Sequence, residues 1–179
     1  MSKGVFATRS ILGYPGMFLP EREKVLIALA GHEPERLFQL IEVVEPSILA
    51  ISSEAKGTST ILGAGTVSEG VVDYLRQRIQ VPLVEEVTFS ADSIDDTYQS
   101  LEVKCPAYAD KNLTIAAMNT KLAFVGSALY ALRERRIRLT YLVPLKYNPL
   151  YSTGSQATML YDVTAYIKSA ETTRVQLSQ

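Results

Sequence analysis

Residues 25–52 read VLIALAGHEPERLFQLIEVVEPSILAIS, and this stretch decides the fold. It opens on a continuous apolar run, Val25-Leu26-Ile27-Ala28-Leu29-Ala30. A run without polar alternation suits a strand covered on both faces, as strands of parallel sheets are. Gly31-His32-Glu33-Pro34 follows as a turn, and Leu37, Leu40, Ile41 and Val44 then recur at helical spacing. Glu33 and Glu35 stand in the first turn of that helix, where the macrodipole favours acids, and Pro34 suits the first helical position. Pro46 ends the helix, and residues 47–52 form a second buried strand. Strand, helix and strand within about 30 residues make one βαβ unit.

The same alternation continues outward. Residues 54–65 are a polar, Gly-rich loop, and a helix is expected from about residue 66 to 80 with Val71, Val72, Leu75 and Ile79 inward. Residues 81–89 read as a third strand, whose Pro82 and paired Glu85 and Glu86 suit a sheet edge. Ser93 is placed to cap a short helix reaching Val103, and Pro106 breaks it. Residues 112–118 are a fourth strand, and residues 121–136 give the strongest helix, with Leu122, Val125, Leu129 and Leu132 inward. Its Ala123, Gly126, Ser127 and Ala128 are small enough for close approach to the sheet. Residues 137–143 are a fifth strand, and residues 157–167 are expected as a last, antiparallel edge strand. The pattern is that of an α/β, Rossmann-like domain, with a mostly parallel sheet of about five to six strands and helices on both faces. The expected organisation is an N-terminal arm or linker over residues 1–23, the domain over 24–167, and a polar tail over 168–179.

Composition bounds the function. The 179 residues are 47% hydrophobic and 21% charged, enough for one packed core. The net charge of −1 offers no overall basic field for duplex DNA. The single cysteine, Cys105, excludes an intramolecular disulfide and any cysteine-based zinc site. No apolar run approaches the roughly 20 residues that span a bilayer, and residues 1–10 lack the apolar centre of a secretory signal. A cytoplasmic protein without membrane partners is the expectation.

Three turns carry candidate chemistry. Gly31, His32, Glu33 and Arg36 lead from the first strand into a helix N-terminus, where backbone N–H groups lacking intrahelical acceptors can hold an anion. The bland reading is a helix-start turn with a solvated histidine. Asn119, Thr120 and Lys121 lead from the fourth strand into the long helix; they either cap it or add a lysine beside a bound phosphate. If strands one and four are neighbours, these two turns emerge together at the topological switch point where open α/β sheets bind ligands. Tyr147, Asn148 and Tyr151 follow the fifth strand and offer rings and an amide to a base, or else a packed Pro/Gly lid.

Other features are weaker. Residues 63–70, GAGTVSEG, lack the Lys-Ser/Thr ending of a phosphate loop, so Thr66 or Ser68 is read as a helix cap. Arg133, Arg135, Arg136 and Arg138 form the densest charge cluster, a solvated helix end or a partner surface. No metal constellation is visible, no cofactor fingerprint is present, and His32 and Lys121 are the only catalytic candidates.

The segment 112–132, a strand, then Asn119-Thr120-Lys121, then a helix rich in small residues, resembles the second signature loop of CRISPR-associated Rossmann-fold (CARF) domains. Those domains commonly carry a Thr-Gly-Gly-Thr-Lys type turn there. Thr120-Lys121 matches it, while Met118-Asn119 replaces the two glycines. The first strand with its Gly31 turn is similar to their other ligand-contacting loop, and the resemblance spans residues 24–143. It implies a homodimeric sensor of nucleotides or cyclic oligonucleotides such as cyclic oligoadenylate, in antiviral defence, coupled to an effector domain or subunit. Two rival readings stand beside it. One is a nucleotide-processing enzyme such as a ring nuclease; the other is a structural subunit of a larger assembly.

Overall fold

The computed structural model describes residues 3–30, 34–54, 83–89, 93–146 and 159–177. Its strands are β1 (Lys3–Pro15), β2 (Lys24–Leu29), β3 (Ile48–Glu54), β4 (Leu83–Phe89), β5 (Asn112–Ala117) and β6 (Arg138–Lys146). Its helices are α1 (Pro34–Val44), α2 (Ile94–Lys104), α3 (Lys121–Arg133) and α4 (Thr164–Leu177), with a 3₁₀ turn at Cys105–Tyr108 after α2. The helix expected over 66–80 and the loop 63–70 lie outside the described residues.

The sheet runs β1-β6-β5-β2-β3-β4. Five strands are parallel, and β1 closes one edge antiparallel to β6. Burial of β2 on both faces fits its central position. Val25, Ile27 and Leu29 enter one core with residues of α2 and α3. Leu26 and Ala28 enter the other with Leu37, Leu40 and Ile41 of α1. Helices therefore cover both faces, and each fully buried leucine or isoleucine of this strand contributes about 1.5–3 kcal/mol relative to exposure. β4 lies at the other edge, as Pro82 and the paired glutamates imply.

Several expectations are corrected. The arm over 1–23 is not irregular. Residues 3–15 form β1, paired with β6 through registers such as Thr8↔Leu142 and Arg9↔Tyr141. Its prolines do not prevent this, because Pro15 stands at the strand end, where no further ladder donor is needed. The edge position assigned to 157–167 is therefore taken by β1. Residues 164–177 instead form α4, begun by Asp162, whose Oδ1 accepts from Thr164 N at 2.9 Å. The stretch expected as a polar tail is mostly helix, held by Ala170, which is fully buried, and by Tyr166 against Tyr98 at 4.6 Å between ring centres.

The buried face of α3 also differs. Ala123, Gly126, Ser127, Leu129, Tyr130 and Ala131 are inward, while Val125 is exposed. The small residues serve a helix rather than the sheet. A Cβ on Gly126 would lie 2.7 Å from Ile94 O and 2.9 Å from Thr97 Cβ, so α2 crosses directly over it.

The arginine cluster is largely engaged. Arg133 bonds the Tyr98 hydroxyl at 3.2 Å and pairs with Glu102. Arg136 donates to the carbonyls of Tyr108 (2.8 Å) and Cys105 (3.3 Å), neutralising the carbonyl end of the 3₁₀ turn. Arg138 donates to Pro15 O at 3.2 Å and lies over the Phe18 ring. Only Arg135 of the four is exposed.

Candidate functional site

β2 and β5 are hydrogen-bonded parallel neighbours, with Leu29 level with Ala117. From β2 the chain moves to β3 on one side, while β5 lies on the other, so this is the switch point of the sheet. Three hydrogen bonds hold the strand exits in place. Met118 N donates to Leu29 O at 2.9 Å. On the other flank the buried Ser52 hydroxyl accepts from Ala30 N at 2.9 Å and donates to Ala28 O at 3.1 Å. Ser52 thereby aims the chain leaving β2, a role that sequence reasoning missed because a serine inside an apolar strand carries no pattern.

The turn after β5 is ordered by its own side chains. Asn119 Oδ1 accepts from Thr120 N, and Thr120 Oγ1 accepts from Ala123 N at 3.1 Å as the cap of α3. Capping is thus real. It satisfies one of the first-turn N–H groups of α3 and leaves Lys121 exposed at the helix start.

Beyond the end of β5 lies an open pocket of about 460 Å³. Its polar side is formed by Asn119, Thr120, Lys121 and Arg36. Its apolar side is formed by Ile11 of β1, Phe124 and Val125 of α3, and Tyr141 of β6, with Ala117 and Met118 at the base. Arg36 reaches it from the opposite face of the sheet, donating from Nη2 to Leu142 O at 2.8 Å. Phe124 and Tyr141 meet edge to face, with centres 6.3 Å apart.

Four of the sequence-derived site residues, Arg36, Asn119, Thr120 and Lys121, meet at this pocket. Gly31, His32, Glu33, Tyr147, Asn148 and Tyr151 lie outside the described residues. The apolar wall was not foreseen: Ile11 belongs to the segment read as an arm, and Tyr141 and Phe124 carry no motif. Among the described residues two cations and no carboxylate line the pocket, in a chain whose net charge is −1. The arrangement is suited to an anionic ligand with an apolar body. Among the described residues no group of three or more His, Cys, Asp or Glu is placed to hold a metal ion, and no helix is long and apolar enough to cross a membrane.

The rest of the molecule offers titratable clusters of structural kind. Glu85 accepts from the Tyr108 hydroxyl at 2.6 Å and pairs with Lys104, and the Lys104 bond foremost holds its carboxyl below the usual 4.5. Burial pushes the Cys105 thiol up to about 12, which makes it a poor nucleophile.

Fold and pocket together define a class: a mixed α/β domain with a mostly parallel sheet and a basic, aromatic-walled pocket at its switch point. No family model matches the chain, and no curated protein matches it. Among solved structures the fold is similar to Enterococcus italicus Csm6 bound to cyclic hexa-2′-fluoro-hexa-dAMP, with a TM-score of 0.54 and 13% sequence identity. The similarity covers 89% of this chain and 40% of the Csm6 chain, so the chain corresponds to less than half of that protein's length.

Proposed function

We propose that this chain is a nucleotide or cyclic-oligonucleotide sensor module acting in prokaryotic antiviral signalling. The observation that carries the reading is the pocket at the β2/β5 switch point, with Lys121 and Arg36 on its walls and no carboxylate among its described lining residues. Phosphate oxygens need donors and positive charge, and the start of α3 supplies both. The fold it shares with Csm6, a protein solved with a cyclic oligonucleotide bound, supports the same ligand class. Asn119, Thr120 and Lys121 hold a phosphate, and Arg36 balances charge from across the sheet. Gly31, His32 and Glu33 meet the same ligand from the neighbouring strand exit, and Tyr147, Asn148 and Tyr151 close over its base. In the cell the module works as a cytoplasmic homodimer that passes its signal to an effector domain or subunit.

Titration calorimetry with cyclic oligoadenylates and with mononucleotides tests this directly. Binding is expected, and Lys121→Ala weakens it about tenfold or more, the loss of one charge-assisted phosphate contact. The absence of binding by any of these ligands to folded protein ends the reading.

A further inference from the structure

Tyr141 is the unexplained residue of the pocket. It stands on β6, a strand whose Leu139 and Leu142 are buried, yet it is 39% exposed. Counting on from the Ile115↔Leu139 register, it lies level with Ala117, where β5 ends and the capped turn begins. Phe124 buttresses its ring edge to face, which fixes the ring plane while leaving part of the ring open to the pocket. Ile11 and Val125 complete an apolar surface around it. Arg9, exposed and directly opposite Tyr141 in the β1/β6 ladder, stands on the same face of the sheet and adds a third cation beside that surface.

The lining thus combines two chemistries: the cation of Lys121 at the α3 start, and a held aromatic ring in an apolar setting. A free phosphate uses only the first. A ligand that uses both has an anionic group and a flat aromatic group joined by a short spacer.

We infer that Tyr141, buttressed by Phe124, is the stacking platform for a purine base, so that each pocket seats one purine nucleotide unit with its phosphate toward Lys121. This rests on the nucleotide reading above and deepens it, since it assigns the base end to residues outside the three turns. Among the described lining residues there is no carboxylate to read a base edge, and the amide oxygen Asn119 Oδ1 already accepts one bond from Thr120 N. Stacking area therefore dominates selection here, and purines bind better than pyrimidines.

The test uses the full chain and calorimetric affinities for adenosine monophosphate, cytidine monophosphate and ribose 5-phosphate. Wild type is expected to bind them in that order, with adenosine monophosphate about tenfold or more tighter than ribose 5-phosphate. Tyr141→Leu weakens adenosine monophosphate by a similar factor while shifting ribose 5-phosphate less than about twofold, and Tyr141→Phe restores the base-dependent part. Equal affinity for adenosine monophosphate and ribose 5-phosphate, or an unchanged preference in Tyr141→Leu, overturns the platform while leaving the anion site standing. Failure of wild type to bind any of the three overturns the platform, and the nucleotide reading falls with it when cyclic oligoadenylates also fail to bind. A Tyr141→Leu protein that does not fold leaves the decision to the wild-type ligand series and to Tyr141→Phe.

Discussion

At the scale of single residues, several polar groups do more than their sequence context suggests. Asn112 opens β5 and is almost wholly buried. Its Oδ1 accepts from Leu19 N at 2.8 Å, and its Nδ2 donates to the carbonyls of Leu19 and Arg22 at 2.7 and 2.8 Å. One side chain therefore satisfies three backbone groups of the turn joining β1 to β2. Asn112→Ala removes these bonds from Leu19 N and Arg22 O, while Leu19 O keeps its bond from Arg22 N at 3.0 Å, and a loss of about 2 kcal/mol is expected in urea unfolding. Cys105 is fully buried, with its thiol pushed up to about 12 by desolvation. It is expected to resist a thiol-specific reagent in native buffer and to react stoichiometrically once the chain is unfolded; rapid native labelling would contradict its burial.

At the scale of elements, the α2–α3 crossing is the most demanding contact. Gly126 has no room for a methyl group, because the atoms it would meet are the Ile94 carbonyl and the Thr97 Cβ, neither at the end of a flexible side chain. Gly126→Ala is therefore expected to destabilise by about 1–3 kcal/mol through overpacking, although alanine is the better helix former. Thermal unfolding measures this, and a stabilised variant would mean that the helices do not cross at this residue. β1 shows the same dependence on close approach. At Gly16 φ is +68°, and a Cβ would meet Arg138 N at 2.6 Å, so glycine is required where the chain turns away from β6. The strand exists because β6 offers it an open edge and because Ile11 and Tyr14 pack against the core beneath.

At the scale of the whole molecule, electrostatics link separate parts of the fold. Glu85 on β4 is tied to Lys104 at the end of α2 and to Tyr108 in the 3₁₀ turn. Because its folded pKa lies below the ordinary 4.5, its contribution to stability is complete above that value and is lost as pH falls through the folded pKa. The stability gap between wild type and Glu85→Gln is accordingly full at neutral pH and narrows below pH 4.5. Denaturant titrations across pH read it, and a gap that stays constant or widens on acidification would assign the shift to another group.

The central strands, α1, the start of α2 and the turn Asn119-Thr120-Lys121 were legible because each is written in local order. An apolar run marks a doubly covered strand, a helical period marks an amphipathic helix, and Ser93 or Thr120 marks a helix start. The adjacency of β2 and β5, on which the pocket depends, was only a condition in the sequence and was decided by the order of the sheet. What only the tertiary structure decided was partnership. β1 became a strand because β6 had a free edge, and Asp162 with Tyr166 and Ala170 made α4 where polar composition implied a tail. The small face of α3 turned inward because α2, rather than the sheet, was its nearest neighbour. The Ile11, Phe124 and Tyr141 wall was assembled from three segments distant in the chain. Local periodicity reports how a segment is buried, whereas which segment buries it is set by contacts between residues far apart.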